Sequence, residues 1–225
     1  MSPKNSLFVL LLLFACPGGW AAAAKLDVEI HEASGTPLTD AVVTLQGPLG
    51  GPPAKLAASM DQRNQQFAPH VLAVHTGSLI KFPNSDNIRH QVYSFSPAKR
   101  FELRLYEGTP SEPVLFDKPG VVVLGCNIHD RMLGYVFVTD DPLFAVSDEQ
   151  GRVSLGDLAM GEYRVTLWHP QLKGMLAVDG GSLKIPASGL KHTYTLALEP
   201  LPEQTAPASS AFGDAFKRAA RETAQ

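Results

Sequence analysis

Cysteine is scarce in this chain: of 225 residues, only Cys16 and Cys126 carry a thiol. The chain also lacks the basic excess of a nucleic-acid binder. Its Lys and Arg number 19 against 22 Asp and Glu, and neutralising phosphates requires a positive face. Long apolar runs are missing beyond the start. The one there, "LFVLLLLFA", is too short to cross a bilayer and is not repeated. Downstream, no apolar pattern at helical period runs far enough to compete with strands. What is abundant is punctuation: 19 Gly and 18 Pro suit one or two soluble domains rich in turns.

Residues 1–24 read as a secretory signal. Lys4 supplies a positive start, "LFVLLLLFA" the apolar core, and "GWAAAA" a small-residue cleavage region. Cleavage is expected near Ala22 to Ala24, which sends the remainder to the periplasm. A lipid anchor on Cys16 is the alternative, but Phe14 and Ala15 before it fit such a site poorly. With the leader removed, Cys126 is the sole cysteine and has no partner within the chain for a disulfide. An unpaired thiol in an oxidising compartment needs a reason. It is either a packed small hydrophobe, half of an intermolecular bridge, or a metal ligand.

The pattern predicts an all-β chain. "KLDVEIHEASGTPLTDAVVTLQGP" gives two short strands around a turn. "HVLAVHTG", "SLIKFPN", "HQVYSFS", "FELRLYEG", "EPVLFDKPG", "VVVLGC" and "LGYVFVTD" follow, separated mostly by Gly, Pro, Asn or Asp. Strands at such spacing suggest a sandwich or barrel. Further strand pairs are expected within "VSDEQGRVSLGDLAMGEYRVTLWHP" and "SLKIPASGLKHTYTLAL". Residues 201–225 read as a linker followed by a short amphipathic helix with Phe212, Phe216 and Ala220 on one face.

The chemistry concentrates in "GCNIHDRM", where Cys126, His129 and Met132 follow the spacing C-x-x-H-x-x-M. Upstream, "FPNSDNIRHQVYSF" opens another apolar run with His90. Two imidazoles, a thiolate and a thioether form a defined donor set. His₂Cys with a weak axial Met is the pattern of a type 1 copper electron-transfer site. Thiolate and thioether are soft donors that suit Cu(I), and imidazole accepts both oxidation states. Zinc would take Cys and two His but has no use for Met. A catalytic Cys–His pair is a weaker reading, because reactive thiols sit in exposed, electropositive surroundings and this one lies between apolar strands. The remaining histidines, His31, His70, His75, His169 and His192, show no ligand spacing and default to surface or satisfied positions.

On these motifs residues 55–140 resemble the cupredoxins. The short C-x-x-H-x-x-M loop is the amicyanin form, and plastocyanin and pseudoazurin have two more residues before the Met. The longer run through "FDKPGVVVLGCNIHDRM" looks like bacterial proteins labelled methylamine-utilisation or cupredoxin-like. The resemblance implies a Greek-key sandwich and one copper held by His90, Cys126, His129 and Met132, with His129 as the electron doorway. Two departures bear on the surroundings of the site. Gln91 stands where many cupredoxins have Asn, and Asp130 where many have Pro. The flanks, "GTPLTDAVVTL" and "DEQGRVSLGDLAMGEYRVTL", resemble the two halves of a carboxypeptidase-regulatory-like β-sandwich. That implies a cupredoxin domain inserted in, or lying beside, a small module made from residues 25–54 and 141–200.

The expected activity is that of an electron carrier and not an enzyme, working with an unidentified redox partner protein and without stable membrane insertion. Arg89, Lys99, Arg100 and Arg131 would rim the site and steer an acidic partner. Copper handling by a carrier or sensor, and a binding module with a vestigial site, are the rival readings.

Overall fold

A computed structural model describes residues 23–48, 57–110, 112–129 and 132–200. Residues 1–22 of the predicted signal, with Cys16, and the C-terminal helix, Asp130 and Arg131 lie outside the described residues. Ala24, the signal's expected last residue, is the buried start of the first strand. Within them the chain is all-β, and its one helical element is the 3-10 turn Lys173–Met175. No helix among the described residues is long and apolar enough to cross a membrane.

The first two strands are β1 (Ala24–Glu32) and β2 (Val42–Gln46). Then come β3 (Ala57–Ser59), β4 (Asp61–Arg63), β5 (Gln66–Ala68), β6 (Val71–His75) and β7 (Ser78–Lys81). The two motifs around His90 and Cys126 lie among β8 (His90–Ser96), β9 (Lys99–Tyr106), β10 (Val114–Phe116), β11 (Gly120–Gly125) and β12 (Leu133–Thr139). Last are β13 (Leu143–Val146), β14 (Arg152–Leu158), β15 (Gly161–Trp168), β16 (Val178–Ile185) and β17 (Leu190–Leu196).

Strands from the two flanks share sheets. One sheet has the order β14-β1-β17 and another β13-β2-β15-β16. Between them lies a core that includes Leu26, Val28, Ile30, Val43, Leu45, Tyr163 and Val165. The central strands form a five-stranded sheet, β6-β12-β11-β8-β9, and a three-stranded one, β10-β7-β3. Met60, Phe82, Val92, Phe116, Val122, Leu124 and Val136 fill the core of this central unit.

Sequence alternation follows from this layering. In β1 the even residues Leu26, Val28 and Ile30 are buried while their neighbours reach solvent, the period-2 pattern of a sheet with one wet face. β2 breaks that pattern with four consecutive buried residues, Val42 to Leu45, because both its faces are covered. Val43 and Leu45 point into the flanking core. Val42 points the other way, into a third cluster with Val71, Phe137 and Trp168. That cluster is the seam between the flanking sheets and the central unit. Trp168 anchors it, fully buried, with its ring 5.2 Å from Phe137 and 6.1 Å from Tyr135. Its indole N–H donates to the Met175 carbonyl at 3.0 Å, so the one polar atom of the ring is satisfied.

Candidate metal centre

Three strand ends meet at one end of the central unit. β11 stops at Gly125 and β12 starts at Leu133, and the two strands pair antiparallel with Gly125 opposite Leu133. Cys126 therefore opens the connection between them and Met132 closes it. The Met132 N–H donates to the His129 carbonyl at 3.0 Å, which tightens the turn. β8 lies on the other side of β11, and Gly125 faces Tyr93 across that pair. His90 is the first residue of β8 and sits opposite Tyr106 of β9. The chain before it is pinned: the Asn84 amide donates to the carbonyls of Ile88 at 2.8 Å and Tyr106 at 3.0 Å.

His90, Cys126 and His129 converge so that one donor atom from each lies within 4.8 Å of the others. Cys126 Sγ stands 3.9 Å from His90 Nδ1 and 3.7 Å from His129 Nδ1. Donors held ~2.0–2.3 Å from a common ion stand roughly 3.5–4 Å apart, so these separations fit a shared ion. The two imidazole planes are inclined by 57° with centroids 4.9 Å apart, and this brings both Nδ1 atoms to the same sulfur. His90 is fully buried, Cys126 and Met132 nearly so, and His129 is half-buried. Met132 belongs to the same apolar cluster as Cys126. The donor chemistry thus fits a soft, borderline metal with imidazole and sulfur ligands. Among the described residues this is the one such group of His, Cys, Asp and Glu.

Around the donors runs a buried polar layer that the sequence did not advertise. His90 Nε2, the nitrogen turned away from Cys126, lies 2.7 Å from Asp86 Oδ2. Burial alone would push the Asp86 carboxyl up, but N–H donors from Gln65, His90 and Asn64 outweigh it and hold the group below its ordinary value. Asp61 behaves alike: burial raises it, and the Ser85 hydroxyl, Arg63 and the Gln62 N–H more than reverse that. Tyr106 donates to the Phe82 carbonyl at 2.7 Å and accepts from the Gln62 amide. Its phenol is pushed up to about 12, first by burial and further by the charges of Asp61 and Cys126, against the lowering effect of the Gln62 bond.

The expected rim is rearranged. Gln91 donates to Glu102 at 2.7 Å on the outer face of the sheet, so its side chain bonds there and not to the metal loop. Arg89 pairs with Glu107 at 3.1 Å and Lys99 with Asp117 at 3.4 Å; both positive charges are offset by neighbours. Of the histidines assigned to ordinary positions, His31 and His75 each leave a buried Nδ1 without a hydrogen-bond partner, and His75 departs furthest from expectation. It is buried at the seam against Phe144, 4.6 Å between centroids, and its Nδ1 has no hydrogen-bond partner. Asp86 is the contact that sequence reasoning missed. Its only signal was an acidic residue four positions before His90.

No protein-family model matches the chain, and no curated protein matches it. Solved structures do. A copper-containing nitrite reductase from Thermus scotoductus SA-01 is 25% identical over 39% of this chain, with a TM-score of 0.36. The match spans only 23% of that enzyme's length. A purple cupredoxin from Nitrosopumilus maritimus is 20% identical over 36% of this chain and 99% of its own, with a TM-score of 0.33. A reduced amicyanin variant is 19% identical over 43% of this chain and 99% of its own, with a TM-score of 0.34. None of these scores reaches 0.5, so the case for a metal centre rests on the donors themselves.

Proposed function

We propose that this chain is an exported, cupredoxin-like copper protein that passes single electrons between protein partners and is not itself an enzyme. The observation that carries the reading is the convergence of Cys126 Sγ with the Nδ1 atoms of His90 and His129, 3.9 and 3.7 Å away. Copper, when bound there, supplies a one-electron couple held by thiolate and imidazole, with a thioether alongside. The chain's own residues supply the rest. Two donors are mounted at strand ends and one on a turn closed by a backbone hydrogen bond, so the set is fixed in advance. A fixed donor set leaves little to rearrange when an electron arrives. The apolar wall of Leu124, Met132, Val92 and Phe82 keeps water from the sulfur, and such a shell tunes potential. His129, the least buried donor, offers the short way out to a partner.

The test is to add Cu(II) to the purified chain and record visible absorption, with Cys126→Ser as control. An intense charge-transfer band that vanishes in the control is the expected result. Tight binding without such a band would move zinc or copper transport to the front, and no binding at all would end the reading.

A further inference from the structure

The small hairpin of β4 and β5 contributes no donor to the metal group, yet its tip reaches the site. Asn64 and Gln65 form the turn, both in the left-handed region at φ 53° and 60°. That conformation suits the tight turn of a two-residue hairpin, but a Gln there is uncommon and costs energy. It turns two backbone N–H groups toward one carboxylate. Asn64 donates to Asp86 Oδ1 at 2.7 Å and Gln65 to Asp86 Oδ2 at 2.9 Å. Asp86 is fixed from its own side as well, since its N–H donates to Asn84 Oδ1 at 3.1 Å. The third partner of the carboxylate is His90 Nε2, on a side chain with no exposure at all.

An ionised carboxylate only accepts, so the proton of a neutral His90 must sit on Nε2. The lone pair then sits on Nδ1, the atom that faces Cys126. From this geometry we infer that Asp86, clamped by the Asn64–Gln65 turn, is a positioning residue that selects the ligating tautomer of His90 and, through its charge, favours the oxidised form of the bound metal. A carboxylate behind a ligating imidazole makes that imidazole a stronger donor, and losing such a partner typically lowers metal affinity about 10–100-fold. Asn in place of Asp keeps the shape but can turn its amide toward Nε2 and donate, which favours the wrong tautomer.

The inference deepens the copper reading and depends on it only for its redox arm. ¹⁵N NMR of the metal-free chain reports the His90 tautomer, and the potential is measured on the copper-loaded protein. In the parent chain neutral His90 is expected as a single Nε2–H form. Asp86→Asn should give a mixture and shift the reduction equilibrium about tenfold toward the reduced state, roughly 59 mV upward for one electron. Asp86→Glu should return both readouts toward parent values. A double variant, Asn64→Gly with Gln65→Gly, keeps both backbone donors and should leave both readouts in place. An unmoved tautomer or an unmoved potential in Asp86→Asn overturns the assignment. So does an equal shift in the double-glycine variant, which would make the effect general distortion. Should the chain take up no copper, the functional reading fails while the tautomer alone still decides the role of Asp86.

Discussion

Two glycines beside the Cys126–Met132 loop differ in how much a methyl group would disturb. A Cβ on Gly134 would lie 2.7 Å from the Phe67 Cβ and 2.8 Å from its ring carbons. Phe67 is buried and its root cannot swing aside. A Cβ on Gly125 would meet the far end of the Tyr93 ring at 2.9 Å, and that ring is half-exposed and free to move outward. Gly134→Ala is therefore expected to cost about 1–3 kcal/mol, the usual range for overpacking, while Gly125→Ala costs clearly less. Urea titrations of both variants decide it, and equal losses would contradict the contrast. The closeness of Cys126 and His129 was legible in sequence because their spacing is local and a turn between strands converts it directly into proximity. His90, thirty-six residues upstream of Cys126, was marked only by the apolar run it opens. Asp86 was not legible. Its role exists only because a distant hairpin tip and a strand-opening imidazole meet on it.

At the level of elements, the strands with clear alternation or dense apolar runs, such as β1, β8, β11 and β12, could be read from the sequence. β4 and β5 could not. Their stretch, "DQRNQQFA", has one large apolar residue and no alternation. Pairing of Asp61 with Ala68 and of Arg63 with Gln66 makes it a hairpin, and Phe67 holds it against the bare backbone at Gly134. The left-handed Gln65 is the strained point of this element. Gln65→Gly removes the side-chain penalty at φ 60° and leaves the N–H that reaches Asp86. It is expected to raise stability by up to about 1 kcal/mol, less what the added freedom of the unfolded chain takes back. A thermal melt that drops by several degrees would show that the Gln65 side chain holds something the contacts do not reveal.

For the molecule as a whole, the seam sets the response to acid. His75 and His169 are both buried there or close by, and burial chiefly lowers the pKa of each below 6.5. The Thr139 backbone pulls His75 back up, and Asp40, the Thr39 backbone and Glu32 do the same for His169, without cancelling the shift. A histidine with a depressed folded pKa binds protons more readily when unfolded, so stability is lost as pH falls through 6.5. Denaturation midpoints should decline between pH 7.5 and 5.5, and a His75→Gln, His169→Gln double variant should flatten that slope. An unchanged slope would place the acid response elsewhere.

The way the central unit is joined to the flanking sheets has a consequence for how such a chain can be remade. The backbone leaves the flanking sheets after β2 and returns on β13, and those two strands are hydrogen-bonded neighbours with Leu45 opposite Leu143. To the flanking sheets, residues 47–142 are one oversized hairpin loop. Closure entropy rises only with the logarithm of loop length, so a connection of this size is thermodynamically mild. The central unit is in that sense a cassette with both ends at one doorway. A short turn from Gln46 to Leu143 would remove it without breaking a rung of either flanking sheet; it would uncover the patch around Trp168 on which it rests and take His70 from Asp40 and Asp141 from Thr44.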